Sequence, residues 1–145
     1  MKKSKVELRI LNQISILFQV AVLFCCSKPP VRDIEAKIIN VEPEKAYTLI
    51  QSNKNNPDFV IVDVRTPSEY EVGHISGALN INYASHTFRE EVKKLHRKRI
   101  YLLYCRSGRR SGEASKIFQE ENFSTIYNLF GGIIEWTKSG YPLEK

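Results

Sequence analysis

Two runs of consecutive apolar residues constrain the fold of this chain more than any other feature of its sequence. Phe59–Val64 is apolar apart from Asp63, and Ile100–Tyr104 is apolar throughout, so neither alternates with polar residues. Strands that are buried on both faces have this composition, and they are typical of parallel sheets covered by helices. The two runs therefore predict an α/β domain.

Shorter apolar segments alternate with helical patterns along the rest of residues 36–145. Three more strands are predicted, at Ile38–Val41, Ala78–Ile81 and Thr125–Tyr127. Helices are predicted over about Glu44–Ser52 after Pro43, Pro67–Glu71 after the N-cap Thr66, Phe88–Leu95, Ser111–Glu121, and a final segment that Gly131 and Gly132 open. This alternation favours a mainly parallel central sheet of about five strands with helices on both faces.

The turn after Ile100–Tyr104 contains the residues best suited to catalysis. It contains Cys105, Arg106, Ser107, Gly108, Arg109 and Arg110, and a helical pattern follows. In open α/β sheets ligands bind beyond the carboxyl ends of strands, where turn amides and a helix N-terminus stabilise an anion. Cationic neighbours and a helix N-terminus also lower the pKa of a thiol. The turn predicts a thiolate beside an anion-binding site, although a lone cysteine after an apolar strand is more often an inert core residue.

Three stretches of the chain occur in a diagnostic order and spacing. The first is DVRTPSEYEVGHISGA from Asp63 to Ala78, the second is the Cys105 turn, and the third is NLFGGIIEWTKSGYP from Asn128 to Pro142. Together they resemble the rhodanese-like family of single-domain sulfurtransferases. The resemblance extends over essentially all of the predicted domain, residues 36–145.

The resemblance implies a thiosulfate sulfurtransferase with Cys105 as its catalytic nucleophile. In this family the thiolate attacks the outer sulfur of thiosulfate, releases sulfite and becomes a persulfide, which a thiophilic acceptor such as cyanide or a thiol discharges. The expected substrate-binding residues are Arg106, Ser107, Gly108, Arg109 and Arg110. Asp63 and Arg65 are expected to support the site, and His74 is expected to serve folding.

The charge and the length of the Cys105 loop help to distinguish between possible substrates and activities. Three cations suit thiosulfate better than a mercapto acid such as mercaptopyruvate. Related phosphatases carry a Cys-x5-Arg loop, but the sixth residue after Cys105 is Ser111, so phosphatase activity is the weaker hypothesis. Two other functions stay open: a catalytically silent rhodanese-like module that binds a partner or senses an anion, and a carrier that receives its persulfide from another protein.

Composition indicates no cofactor, metal or nucleic-acid partner. The three cysteines, Cys25, Cys26 and Cys105, form no CxxC pair and no Cys/His spacing suited to zinc. The net charge of +6 is shared equally between residues 1–26 and the remainder, which is a mild excess rather than a nucleic-acid footprint. The expected partners are a small-molecule sulfur donor and acceptor, and the expected state is a monomer.

Residues 1–26 resemble an export leader. A basic start precedes an apolar stretch from about Ile10 to Cys26, which is marginal as a spanning helix and fits a signal peptide or membrane anchor. Leu23–Cys26 resembles a degenerate bacterial lipobox with Cys26 or Cys25 as the lipidated residue. Residues 27–35 contain two consecutive prolines and favour an extended linker. The protein is therefore expected to be exported, periplasmic or membrane-anchored.

Overall fold

The computed structural model of the chain describes residues 37–145, which form the predicted α/β fold. The strands are β1 (Lys37–Val41), β2 (Phe59–Asp63), β3 (Leu79–Asn80), β4 (Ile100–Tyr104) and β5 (Thr125–Leu129). The helices are α1 (Pro43–Ser52), α2 (Pro67–Val72), α3 (Phe88–Lys93), α4 (Arg109–Glu120) and α5 (Gly132–Lys138). The strands form one sheet in the order β1-β5-β4-β2-β3, and every neighbouring pair is parallel.

Strand β4 is central, and its side chains alternate between two cores. Tyr101 and Leu103 pack with residues of α3 and α4, whereas Leu102 and Tyr104 pack with residues of α1 and α5. All four are at most 1 % exposed. Burying one such side chain contributes about 2 kcal/mol, so both faces of the strand favour apolar residues. This is the physical origin of the apolar run in the sequence.

Several element boundaries differ from the sequence prediction, and two of these differences, in α4 and β3, bear on the site and the sheet edge. Helix α4 begins at Arg109 rather than Ser111, because Gly108 adopts a left-handed conformation (φ 89°) that turns the chain directly into the helix. Strand β3 contains only Leu79 and Asn80, because only these two residues pair with β2.

The predicted leader, lipid attachment site and linker of residues 1–35 lie outside the described residues. Within residues 37–145, no helix combines the length and apolar character needed to cross a bilayer. The same residues contain no group of three or more His, Cys, Asp or Glu side chains that is suited to a metal ion.

Candidate active site

Cys105 directly follows β4 at the carboxyl edge of the sheet. The residue is 1 % exposed. Its Sγ accepts a hydrogen bond from the Gly108 amide at 3.2 Å and one from the Ser111 hydroxyl at 3.5 Å. Both donors belong to the turn and the first helical turn after it. The sulfur is thus deeply placed but surrounded by hydrogen-bond donors, which an inert core cysteine does not need.

These donors lower the pKa of the Cys105 thiol. Burial is the largest single influence and raises the pKa, but hydrogen bonds from the Ser111 hydroxyl and from the amides of Ser111, Ser107 and Gly108 together outweigh it. A hydrogen bond to a charged acceptor is stronger than one to a neutral acceptor, so these bonds favour the thiolate. The thiolate is the nucleophilic form of cysteine.

Gly132 secures the backbone of the Cys105 turn. A Cβ on this residue would lie 2.4 Å from the Cys105 carbonyl oxygen and 2.7 Å from the Arg106 carbonyl carbon. Without a side chain, the start of α5 approaches closely, and the amides of Ile133 and Ile134 donate to the carbonyls of Cys105 (2.8 Å) and Arg106 (3.2 Å). A glycine is therefore required at this position for two reasons: the backbone of the Cys105 turn lies too close to leave room for a side chain, and the φ angle is positive (60°).

The three arginines of the turn occupy different environments. Arg110 forms a two-pronged ion pair with Glu69, with N–O distances of 2.8 and 2.7 Å. Glu69 is the main cause of a raised pKa of Arg110, and Cys105 contributes to this rise. Arg106 and Arg109 are exposed, and neither forms an ion pair with another residue of 37–145. Their charges are available to an incoming anion, whereas that of Arg110 is largely balanced.

Glu69 is a structural partner of the site that the sequence analysis missed. Its carboxylate closes a capping box with Thr66 at the start of α2 and also binds Arg110. The bond to Arg110 lowers the pKa of Glu69 to about 2. The Thr-Pro-Ser-Glu sequence does signal a capping box, but no local pattern signals a partner 41 residues away.

Asp63 and Arg65 form a buried ion pair where β2 leads into α2. The Arg65 Nη2 to Asp63 Oδ2 distance is 2.6 Å, and their side chains are 7 % and 0 % exposed. Arg65 also donates to the carbonyl of Gly73, while the Asn80 side chain donates to the carbonyls of Asp63 and Arg65. The pair braces the segment that carries Glu69.

His74 makes contacts of a structural kind. Its ring stacks on Tyr70 with 3.6 Å between ring centroids. Its backbone exchanges two hydrogen bonds with Glu144, and its Nε2 lies 3.4 Å from the Glu144 carboxylate. These contacts attach the C-terminal residues to the segment that follows α2.

The fold and the site together define a class of protein: a parallel α/β domain that holds a cysteine sulfur inside an amide-lined turn at the carboxyl edge of its sheet. The model of the rhodanese-like domain family matches residues 42–139. The chain belongs to the rhodanese-like domain family.

Known relatives include proteins of more than one activity. A sulfurtransferase of Allochromatium vinosum is 33% identical over 96 residues, which cover 66% of this chain and 88% of the relative. The thiosulfate:glutathione sulfurtransferase of Saccharomyces cerevisiae is 33% identical over 98 residues, 60% of this chain and 70% of the relative. A tRNA uridine(34) hydroxylase of Citrobacter koseri is 37% identical, but the match covers only 25% of that enzyme.

A solved structure supports the fold assignment. The rhodanese-related protein of Thermoplasma volcanium superposes with a TM-score of 0.63 at 27% identity. The superposition covers 73% of this chain and 97% of that protein. The five-stranded sheet and its flanking helices are therefore those of a rhodanese-like domain.

Proposed function

We propose that this protein is a sulfurtransferase that moves a sulfane sulfur from thiosulfate, or a similar donor, to a thiophilic acceptor such as cyanide or a thiol. The observation that carries the proposal is that the Cys105 Sγ accepts hydrogen bonds from the Gly108 amide and the Ser111 hydroxyl. Hydrogen bonds of this kind lower the pKa of its thiol. Two sulfurtransferases among the relatives support the reaction class.

In the first half-reaction the Cys105 thiolate attacks the outer sulfur of thiosulfate. A new S–S bond forms, the S–S bond of the donor breaks, and its electron pair leaves on sulfite. Arg106 and Arg109, which are exposed beside the nucleophile, bind the sulfonate oxygens. The turn amides then stabilise the negative charge of the persulfide.

In the second half-reaction the acceptor nucleophile attacks the outer sulfur of the persulfide. The S–S bond breaks, and its electron pair returns to the Cys105 Sγ. The donors that favour the thiolate, from Gly108 and Ser111, now stabilise it as a leaving group. One set of hydrogen bonds therefore assists both halves of the cycle.

The depth of the Sγ favours a narrow donor. Cys105 is 1 % exposed, so a donor must present a small terminal atom to reach it. In the persulfide the transferable sulfur extends about 2 Å further out than the Sγ, which is the length of an S–S bond. Depth does not separate thiosulfate from mercaptopyruvate, but the exposed charges of Arg106 and Arg109 suit a dianion better than a monoanion. We therefore propose thiosulfate as the preferred donor; similar kcat/KM values for the two would contradict this preference.

Mass spectrometry after thiosulfate treatment tests the proposed reaction. We expect one added sulfur atom on the peptide that contains Cys105, together with release of one sulfite, and restoration of the original mass when cyanide is added. The matched control is Cys105→Ser, which is expected to fold but not to gain the sulfur. Peptide mapping separates Cys105 from Cys25 and Cys26.

The same mass measurement, repeated with a persulfide-bearing protein as the donor, separates the alternatives. A silent binding module would gain no sulfur from any donor. A carrier would gain none from thiosulfate but would gain it from a persulfide-bearing protein. Either result would overturn the proposed thiosulfate activity.

We also propose that residues 1–26 export the protein and that Cys26, or Cys25, is its lipid attachment site. The support is the basic and apolar composition of the segment and its lipobox-like end. The intact mass of the full chain after expression in a bacterium is the test. A mass equal to that of the unprocessed sequence would contradict cleavage and lipidation.

A further inference from the structure

An open cleft of about 590 Å³ adjoins the Cys105 turn between α2 and α5. This volume is in the range of sites that bind small molecules. Three large apolar side chains of its wall are unusually exposed: Val72 (76 %), Leu143 (39 %) and Ile134 (37 %). A single exposed apolar side chain is ordinary, but several that converge on one concave surface indicate a binding site.

The cleft is continuous with the reactive turn. Arg106, the residue next to Cys105, forms part of its wall, and the amide of Ile134 donates to the Arg106 carbonyl at 3.2 Å. Glu69 lines the cleft as well, and its partner Arg110 interacts with Cys105. A molecule in the cleft would therefore lie beside the turn that carries Cys105.

The charges of the cleft are cationic at both ends of its apolar wall. Arg106 lies at the end next to the nucleophile, and Lys138 lies at the far end of α5. A helical rise of about 1.5 Å per residue places Lys138 about 9 Å beyond the first residue of α5. Lys138 pairs with Glu135, but both side chains are exposed, so this pair is weak. The carboxylate of Glu69 is balanced by Arg110.

We propose that this cleft binds the sulfur acceptor, and that the preferred acceptor is a thiol on an apolar chain that ends in an anionic group. The chain lies along Val72, Ile134 and Leu143, and the anion lies near Lys138. This inference rests on the proposed sulfurtransferase function. The acceptor thiolate attacks the outer persulfide sulfur, the S–S bond breaks towards Cys105, and the product is the persulfide of the acceptor, so no oxidant or reductant is consumed.

The test uses full-length protein that has been loaded with thiosulfate and then discharged by thiols of graded length and charge. The probes are mercaptopropionate, mercaptohexanoate and the neutral mercaptohexanol. Half-covered methylenes are expected to raise kcat/KM about twofold each, so mercaptohexanoate should exceed mercaptopropionate about eightfold. Mercaptohexanoate should exceed mercaptohexanol about threefold because of the cationic end.

Two variants with matched controls assign these preferences to the cleft. Ile134→Gln is expected to reduce the ratio of kcat/KM for mercaptohexanoate to that for mercaptopropionate by about half or more. Leu79→Gln, at a similarly exposed apolar residue of β3, should not change this ratio. Lys138→Gln is expected to abolish the preference for the carboxylate. Its control is Lys116→Gln on α4, a lysine with the same spacing to its glutamate partner.

The outcomes distinguish this inference from the proposed function. Equal kcat/KM for the three thiols, or ratios that Ile134→Gln and Lys138→Gln leave unchanged, would overturn the acceptor site while sulfur loading from thiosulfate persisted. Failure of Cys105 to load from thiosulfate would instead overturn the proposed function.

Discussion

Replacing Gly132 with alanine would disturb the nucleophile without altering any reacting group. The added Cβ would lie 2.4 Å from the Cys105 carbonyl oxygen and 2.7 Å from the carbonyl carbon and oxygen of Arg106. All three are backbone atoms, so none can rotate away. The Cys105 carbonyl must move, and its 2.8 Å hydrogen bond from the Ile133 amide must lengthen.

The expected loss of stability has two parts. The left-handed backbone of Gly132 disfavours a residue with a side chain by about 1–2 kcal/mol. Weakening a buried hydrogen bond adds about 1–3 kcal/mol. Gly77→Ala is the matched control, because Gly77 has a similar φ of 73° but nothing within 4 Å of its hypothetical Cβ. The difference between the two variants isolates the close approach of α5 to the Cys105 turn.

Chemical denaturation and the rate of persulfide formation from thiosulfate are the two assays. We expect the free energy of unfolding to fall about 3 kcal/mol for Gly132→Ala and about 1 kcal/mol for Gly77→Ala. Persulfide formation should slow at least about tenfold in Gly132→Ala alone, which corresponds to about 1.4 kcal/mol in the activation barrier. Equal losses of stability and equal loading rates in the two variants would refute the positioning role of Gly132.

Three other substitutions test separate parts of the site. Ser111→Ala removes a donor to the Cys105 sulfur, so the pKa of the thiol should rise and the pH profile of its alkylation should move to higher pH; an unchanged profile would contradict this. Folding lowers the pKa of the Glu69 carboxylate from 4.5 to about 2. The ionised carboxylate therefore stabilises the fold at a pH above 4.5, and this stabilisation is lost as the pH falls to about 2. Glu69→Gln should therefore lose about 1 kcal/mol at neutral pH and flatten the acid limb of stability, measured by denaturation at several pH values. Arg106→Gln should raise KM for thiosulfate about threefold to tenfold with a stability change under about 0.5 kcal/mol, and an unchanged KM would exclude its anion-binding role.

Much of the fold was predictable because its causes are local. The residues of β4 are apolar in sequence because the strand is covered on both faces, and Tyr101 to Tyr104 are each at most 1 % exposed. Thr66 was predictable as the N-cap of α2, because a side-chain oxygen before Pro67 meets the free amides of a first helical turn. The start of α4 was placed two residues late, because the left-handed conformation of Gly108 is not encoded by helical periodicity.

The partners of the site were less predictable. Three arginines in one turn appear equivalent in sequence, yet Arg110 binds Glu69 while Arg106 and Arg109 remain exposed. Which arginine pairs with Glu69 depends on where α2 lies relative to α4, and that is a result of packing. The cleft beside Ile134 could not be predicted from the sequence either, because its walls come from separate helices and the C-terminal residues.

The amino-acid sequence by itself determined the alternation of strands and helices, the position of Cys105 at a strand end, and the likeness of three spaced motifs to one family. Each of these depends on neighbouring residues or on the order of residues along the chain. Only the tertiary structure decided which donors surround the sulfur, which arginine is balanced by Glu69, and why Gly132 must lack a side chain. These depend on distances between segments that are far apart in sequence, and such distances are set when the helices pack against the completed sheet.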